Sequence, residues 1–470
     1  MITDKSIKEI HLGLRKKEFS CEELIKETYG NIEKYDSRIN SAITIVDKKT
    51  VLDKARQTDN GKKEFDLLTG MPFVLKDVYV TRGIRTTCAS NVLADYIPQY
   101  DATVYKKLLD LGALLIGKMN QDAWGHGGST ENTDFGPTHN PWDLKRVAGG
   151  SSGGPAAAIS GRMTVFAIGE DTGGSIRNPA AWCNITGLKV TCGRVSRYGA
   201  IAYASSFDTI GPMGKSAEDC AVILERIAGK DPYDATSSPA SVPKYTSFLN
   251  KPLKGRKIAL PKDLLGKGLD VEIKNAILKA VNKFAEIGAE IEEVTMPIFD
   301  YGLAVYYVIA PCETSSNLAR YDGIRYGFDR SKFTEETIRR IMIGTYALSA
   351  GYYDAFYRKA QKARTLFIKA YQDILSKYDA ILMPVNPTPP TVIGELMSDP
   401  LQNLLADFYT VTQNPVGVPS LAVPCGFTKD KLPIGMQLIG KMFTEELLLN
   451  IGHQYQQVTE WHKQKPDIIS

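Results

Sequence analysis

Residues 148–177 contain Ala148-Gly-Gly-Ser-Ser-Gly-Gly-Pro-Ala-Ala-Ala-Ile-Ser160 and then Thr164-Val-Phe-Ala-Ile-Gly-Glu-Asp-Thr-Gly-Gly-Ser-Ile-Arg177. The spacing predicts a helix over Pro155–Ser160 and a buried strand over Thr164–Ile168, each next to a Gly-Gly-Ser cluster. The same rhythm of helix followed by short apolar strand recurs at 102–117, 216–261 and 273–296. Helices alternating with short apolar strands predict an α/β fold whose sheet is covered on both faces.

Working outward, Ser20 and Glu23 form a capping-box signal ahead of a helical apolar pattern, and the first 40 residues are expected to be two helices. A strand-rich section should follow, including the apolar run Met71–Leu75 that ends in Lys76-Asp77. A mainly helical excursion is expected over about 300–377. Strand signals return at Ile381–Pro384, Leu421–Pro424 and Gly435–Leu438, and a last helix lies near 444–459. The Pro- and Ser-rich stretch 232–255 is the best candidate for an exposed connection. With no low-complexity linker, one domain over 1–470 is expected, its catalytic core at about 60–230.

The chain has 470 residues, 43% hydrophobic and 23% charged, with a formal charge of +4. That balance is ordinary for a globular protein and weak for an extensive nucleic-acid surface, so no DNA binding is expected. Seven cysteines, an odd number without a C-x-x-C pair, read as free thiols in a reducing compartment. No metal site is expected. No uncharged apolar run of membrane-spanning length, signal core or transit segment is present, so no membrane association and a cytoplasmic location are expected.

Dense glycine around serine means that the backbone turns tightly or approaches a ligand closely. Two such loops at the ends of neighbouring elements could place Ser151 and Ser175 side by side, with backbone N–H groups free for an oxyanion. On residue chemistry alone the alternatives are catalytic serines, plain turns and an anion cradle, although no phosphate-loop string is present. A serine nucleophile needs a base. His126, in a glycine-rich loop, is the one histidine suited to a triad. Lys76 is the other option, because burial favours the neutral amine. The competing reading has Lys76 extending to the surface beside Asp77.

Taken together, Val74-Leu-Lys-Asp77, Gly149-Gly-Ser-Ser-Gly-Gly154 and Gly169-Glu-Asp-Thr-Gly-Gly-Ser-Ile-Arg177 resemble the amidase signature family. Within it, the likeness is to the glutaminase subunits of tRNA-dependent amidotransferases. It is carried by Asn132–Asp143, Gly187–Gly199, Ser316–Gly327, Arg339–Thr345, Ser349–Asp354 and Gly435–Gly440.

The resemblance implies a mixed central sheet and a Ser-Ser-Lys triad. A neutral Lys76 takes a proton from Ser151, held in a cis peptide, and Ser151 takes one from Ser175, which attacks the glutamine amide. Backbone N–H groups of Thr172, Gly173, Gly174 and Ser175 hold the oxyanion. Arg340 and Asp407, with Tyr307 as a further candidate, bind the α-carboxylate and α-amino groups, and Arg339 competes with Arg340 for that assignment. Asp171 and Arg177 form a structural ion pair, and Ser152 supports the loop. No cofactor is expected in this chain. ATP and Mg²⁺ belong to a tRNA-binding kinase and transamidase partner, which receives the ammonia, and a small third protein joins the two. The alternative is a stand-alone amidase for small or aryl amides; a non-catalytic scaffold is the third class. This sequence departs from the family pattern at Pro155, at Ala123-Trp-Gly-His126 and at Glu170, where serine is usual.

Overall fold

The computed structural model describes residues 1–61, 66–266, 268–324, 327–398 and 400–469. Its strands are β1 (Ala42–Ile45), β2 (Pro72–Lys76), β3 (Leu114–Met119), β4 (His139–Asn140), β5 (Asp143–Val147), β6 (Phe166–Asp171) and β7 (Thr186–Lys189), followed by β8 (Thr209–Gly214), β9 (Lys257–Pro261), β10 (Glu290–Val294), β11 (Ala380–Pro384), β12 (Ser420–Phe427) and β13 (Pro433–Ile439). Apart from the β4–β5 hairpin they form one eleven-stranded sheet in the order β1-β3-β2-β6-β8-β7-β12-β13-β11-β9-β10. The sheet is mixed: β2 runs parallel to β3 and β6, whereas β8, β7, β12 and β13 pair antiparallel.

Alternation within β2 shows why its apolar run is unbroken. Phe73 and Leu75 enter one hydrophobic core, while Val74 between them enters a second core on the opposite face. A strand buried on both faces has no polar side to display. The principal helices are α1 (Ile7–Lys16), α2 (Cys21–Ile39), α3 (Lys48–Asn60), α4 (Thr103–Asp110), α5 (Gly153–Ser160), α6 (Arg177–Trp182), α7 (Ala217–Ile227), α8 (Val271–Glu286), α9 (Gly302–Asn317), α10 (Glu335–Leu348) and α11 (Lys359–Lys377). Ser20 caps α2 in a full capping box with Glu23.

Helix α5 is apolar on every side (Ala156, Ala157, Ala158, Ile159), and it packs with Ala180 and Ala181 of α6 in the Val74 core. Its small side chains let the helix lie close to β2 and β6. By alternation Lys76 shares the Val74 face, so the end of β2 directs it toward the loops that open α5 and α6. The α6 loop follows the carboxyl end of β6, and the α5 loop, which follows the β4–β5 hairpin, meets the carboxyl end of β2 through Lys76, the edge where open α/β sheets bind ligands.

One expectation needs correction. The section after residue 40 is not uniformly strand-rich, because Lys48–Asn60 is a helix capped by Asp47, whose carboxylate accepts the Thr50 N–H at 2.8 Å. Only Val51 and Ala55 of that helix are buried, too few to produce an apolar period. The stretch 232–255 is a largely exposed connection between α7 and β9, pinned to the main core at Tyr245, Leu249 and Leu253 against α7 and the last helix, Glu445–Gln457. Residues 325 and 326 of the Ser316–Gly327 motif lie outside the described residues. No helix among the described residues is long and apolar enough to cross a membrane, and none of their His, Cys, Asp and Glu side chains form a cluster of three that could hold a metal ion.

Candidate active site

Lys76 and Ser151 are fully buried, while Ser175 is buried but retains 6% of its surface. Lys76 Nζ lies 2.7 Å from Ser151 Oγ, 2.7 Å from Glu170 Oε2 and 3.2 Å from the Glu170 carbonyl oxygen. Three partners match the three donors of an ammonium, or two donors and the lone pair of an amine. Lys76 does not reach the surface beside Asp77. That carboxylate instead takes a second buried lysine, Lys118, at 3.0 Å, and accepts the Thr87 N–H at 2.8 Å. Glu170, the departure from the family pattern, is thus the ion-pair partner of Lys76.

The two serine loops are clasped to each other. The Ser152 N–H donates to the Ser175 carbonyl at 3.1 Å, and Ser152 Oγ donates to the Glu170 carbonyl at 3.1 Å. The Gly150–Ser151 peptide is cis. Beneath it lies Asp122, a residue that sequence reasoning passed over. Its N–H donates to the Ser151 carbonyl, and its carboxylate accepts the N–H groups of Thr130 (2.9 Å) and Asn132 (3.1 Å). Burial pushes its carboxyl up to about 7 against those two hydrogen bonds. The signal for Asp122 is tertiary: a Cβ at Gly150 would meet Asp122 Oδ2 at 2.1 Å.

The expected oxyanion donors separate into two sets. Asp171 takes the Gly174 N–H at 2.8 Å and the Ile176 N–H at 3.0 Å, so Gly174 is withdrawn from the set by its carboxylate neighbour. Among the described residues, the N–H groups of Thr172, Gly173 and Ser175 have no such partner. Gly173 must be glycine, because a Cβ there would meet the Tyr306 phenol at 2.5 Å; Gly174 has φ +137°. Asp171 is held by the buried Arg177 through contacts of 3.0 and 3.1 Å. Burial alone would raise its pKa, but the charge and hydrogen bonds of Arg177 reverse the shift and hold it well below the carboxylate range. Arg177 also reaches Gln413, Gln437, Asn414 and the Thr410 carbonyl, tying the loop to the end of the chain.

Tyr307 joins the two expected charges. Its phenol donates to Asp407 Oδ2 at 2.6 Å, and its ring lies 5.5 Å from the Arg340 guanidinium. Arg340 is buried and donates to Glu336 (2.6 Å) and to the Tyr203 phenol (2.5 Å). Arg339 turns outward and pairs with the other Glu336 oxygen, which separates the two candidates. Burial first, partly countered by Tyr307 and Arg340, pushes the Asp407 carboxyl up to about 6. Tyr203, Tyr306 and Glu336 were missed by the sequence analysis. His126 is not placed as a base: its ring nitrogens face Thr337 (3.1 Å) and Thr314 (3.0 Å), and its ring packs on Tyr203. Its neighbour Trp124 packs on Tyr321 and Phe333, so the unusual Ala123–His126 string anchors the α9–α10 region to the sheet.

The family model described as Amidase matches residues 23–449. The chain is 46% identical over 481 residues to the A-subunit of the glutamyl-tRNA(Gln) amidotransferase of Geobacillus kaustophilus, covering 98% of this chain and 99% of that relative. It is 47% identical over 480 residues to the protein of the same name in Geotalea daltonii, covering 98% of each. The crystal structure of the Thermotoga maritima protein of that name superposes with a TM-score of 0.86 at 38% identity, covering 100% of this chain and 99% of the other. A bacterial aryl acylamidase of the amidase signature family superposes at 0.85 with 26% identity, covering 99% and 98%. A buried lysine against Ser151, two clasped glycine-serine loops and a match along nearly the whole chain have one common explanation: this chain belongs to the amidase signature family.

Proposed function

We propose that this chain is the glutaminase component of a glutamyl-tRNA(Gln) amidotransferase and releases ammonia from glutamine through Ser175. The observation that carries the chemistry is the fully buried Lys76 amine at 2.7 Å from Ser151 Oγ, with the more exposed Ser175 on the adjoining loop. Lys76 accepts the Ser151 proton as Ser151 accepts that of Ser175, and Ser175 Oγ bonds to the amide carbon. The oxyanion meets the N–H groups of Thr172, Gly173 and Ser175; in water-excluded sites, loss of one such donor costs about 10²–10³-fold in rate. The proton then returns to the leaving nitrogen, ammonia departs, and water hydrolyses the glutamyl ester.

The substrate assignment rests on opposite charges flanking Tyr307. Arg340 suits an α-carboxylate and Asp407 an α-ammonium, a pairing that a neutral aryl amide does not need. In this reading the ammonia passes to a cytoplasmic partner protein that binds tRNA, ATP and Mg²⁺, with a small third protein joining the two. Glutamine hydrolysis should be measured for the isolated chain and for the chain with co-purified partners. Stimulation by the partners and Ser175 labelling by a glutamine-derived electrophile are expected. Full activity on aryl amides, indifferent to partners and weak on glutamine, would select the stand-alone amidase.

A further inference from the structure

Arg340 meets the pocket with most of its guanidinium already committed. Nε donates to Glu336 Oε1 at 2.6 Å and Nη1 to the Tyr203 phenol oxygen at 2.5 Å. Nη2 is the one nitrogen of the three that has no hydrogen bond among the described residues. The rings of Tyr203 and Tyr307 lie 5.7 and 5.5 Å from the guanidinium carbon and fix its plane. Burial acts to raise the Glu336 carboxyl, but the charges and hydrogen bonds of Arg340 and Arg339 bring it below its ordinary value. Glu336 is therefore an anion that offsets the charge of Arg340. A substrate carboxylate arriving at Nη2 is held by one oxygen, and its other oxygen needs a donor.

Tyr203 has that donor to give. A guanidinium only donates, so the Tyr203 oxygen accepts from Arg340. It accepts a second, longer contact from the Tyr306 phenol at 3.5 Å. The proton that Tyr203 itself carries meets no acceptor among the described residues, although the side chain is buried. Burial raises the Tyr203 pKa, so the proton stays in place. A buried hydroxyl whose proton has no acceptor is unusual and calls for a partner from outside the chain. Its neighbours place that partner in the pocket. Tyr306 lies against the oxyanion loop, where a Cβ at Gly173 would meet its phenol oxygen at 2.5 Å, and Arg340 stands on the other side. The Tyr203 ring is also fixed. Its N–H donates to Asp208 Oδ2 at 3.0 Å, its carbonyl accepts from Asn317 Nδ2 at 3.0 Å, and His126 packs edge-on against it. Burial first, and then the charge of Arg340, push His126 well below the usual histidine range, so it stays neutral beside the guanidinium.

We infer that the Tyr203 hydroxyl is a second substrate donor, which with Arg340 Nη2 holds the two oxygens of the α-carboxylate and selects amides that carry one. The inference rests on the glutamine reading of the site. Arg340 supplies the charge and Tyr203 the direction, because a planar carboxylate spanning both donors has one orientation. That orientation sets the amide at the other end of the substrate toward Ser175. Glu336 already offsets the guanidinium, so directed hydrogen bonds carry much of the selection. An amide without the carboxylate leaves the Tyr203 O–H and Arg340 Nη2 unpaired in a buried site, which is costly.

The test compares L-glutamine with γ-aminobutyramide, the same molecule without its α-carboxylate, as substrates of the full chain with its co-purified partners. Wild type should favour glutamine in kcat/KM by at least about 100-fold. Tyr203→Phe should raise KM for glutamine about tenfold or more, the size of a lost hydrogen bond to a charged group, with kcat within about threefold. It should move KM for γ-aminobutyramide by less than about twofold. In an Arg340→Met background, Tyr203→Phe should raise KM for glutamine again by at least about threefold, since a residue that only braces Arg340 has nothing left to brace. Should Tyr203→Phe not fold, a fluorotyrosine placed at position 203 of Ser175→Ala protein serves instead. Its fluorine resonance should move on adding glutamine and stay fixed with γ-aminobutyramide. An unchanged KM for glutamine, an equal rise for both substrates, no further rise in the double variant or an unmoved resonance overturns the contact. A wild type indifferent to the carboxylate removes the glutamine reading and the inference with it. A wild type that favours glutamine while Tyr203→Phe does nothing removes the inference alone.

Discussion

Two lysines leave neighbouring strands, Lys76 from β2 and Lys118 from β3, and both are fully buried beside a carboxylate. Their remaining contacts differ. Lys118 Nζ donates to the Tyr79 carbonyl and to Thr86 Oγ1, each at 2.7 Å, and to Asp77, a closed set that leads nowhere. Lys76 places one contact on a serine hydroxyl that adjoins the Ser175 loop, and the other end of its carboxylate opens through Thr172 to Asp208. A buried lysine–carboxylate pair is therefore not in itself a sign of catalysis. What distinguishes Lys76 is its contact with the hydroxyl of Ser151, on the loop clasped to that of Ser175.

The sharpest test of that distinction removes the end of the chain of hydroxyls. Ser175→Ala should lower kcat for ammonia release by about 10⁵-fold or more, measured by coupled ammonia detection, because the nucleophile has no substitute. Lys76→Ala should lower it by about 10³- to 10⁴-fold, the span of a general base, while circular dichroism shows a folded protein. Lys118→Met should do the reverse. With Asp77 left buried and unpaired, urea unfolding should show a loss of about 3–5 kcal/mol, while kcat of the folded fraction stays within a few-fold of wild type. A severe kcat loss in Lys118→Met with stability intact would dissolve the contrast between the two lysines.

Smaller effects are expected where charge serves recognition. Arg340→Ala or Asp407→Ala should raise KM for glutamine by about 10- to 100-fold, as for loss of one charged hydrogen bond, with less change in kcat. Equal loss toward a simple aliphatic amide would contradict the pocket assignment. The raised pKa of Asp407 gives the mildest prediction. Its carboxyl is ionised, and able to hold an ammonium, only above about 6. KM should therefore rise as pH falls through that value, approaching about tenfold per unit, and Asp407→Asn should abolish the dependence.

Much of this site was legible in sequence because its parts are local. The glycine content of 149–154 and 169–175 states that two loops need close backbone approach, and the structure puts them in contact through Ser152 and Ser175. The position of Lys76 after an apolar run left burial and a surface site beside Asp77 both open, and only the structure shows it fully buried. Helix α3 was missed because only two of its residues are buried, and Tyr203, Tyr306 and Glu336 carried no local signal at all. Those three act through partners more than a hundred positions away, or through one face of α10.

By itself the sequence determined the family, an α/β fold covered on both faces, and the lysine and two serines on which the chemistry is proposed to turn, since each is written in a short string of residues. Only the tertiary structure decided which acid meets Lys76, which of two adjacent arginines turns inward, and that Gly174 gives its N–H to Asp171. Parallel pairing of β2 with β6 brings Glu170 to a lysine 94 positions earlier, and helical geometry points Arg339 and Arg340 about 100° apart. Contacts of that kind depend on strand register and helix rotation, which a linear string does not contain until the chain has packed.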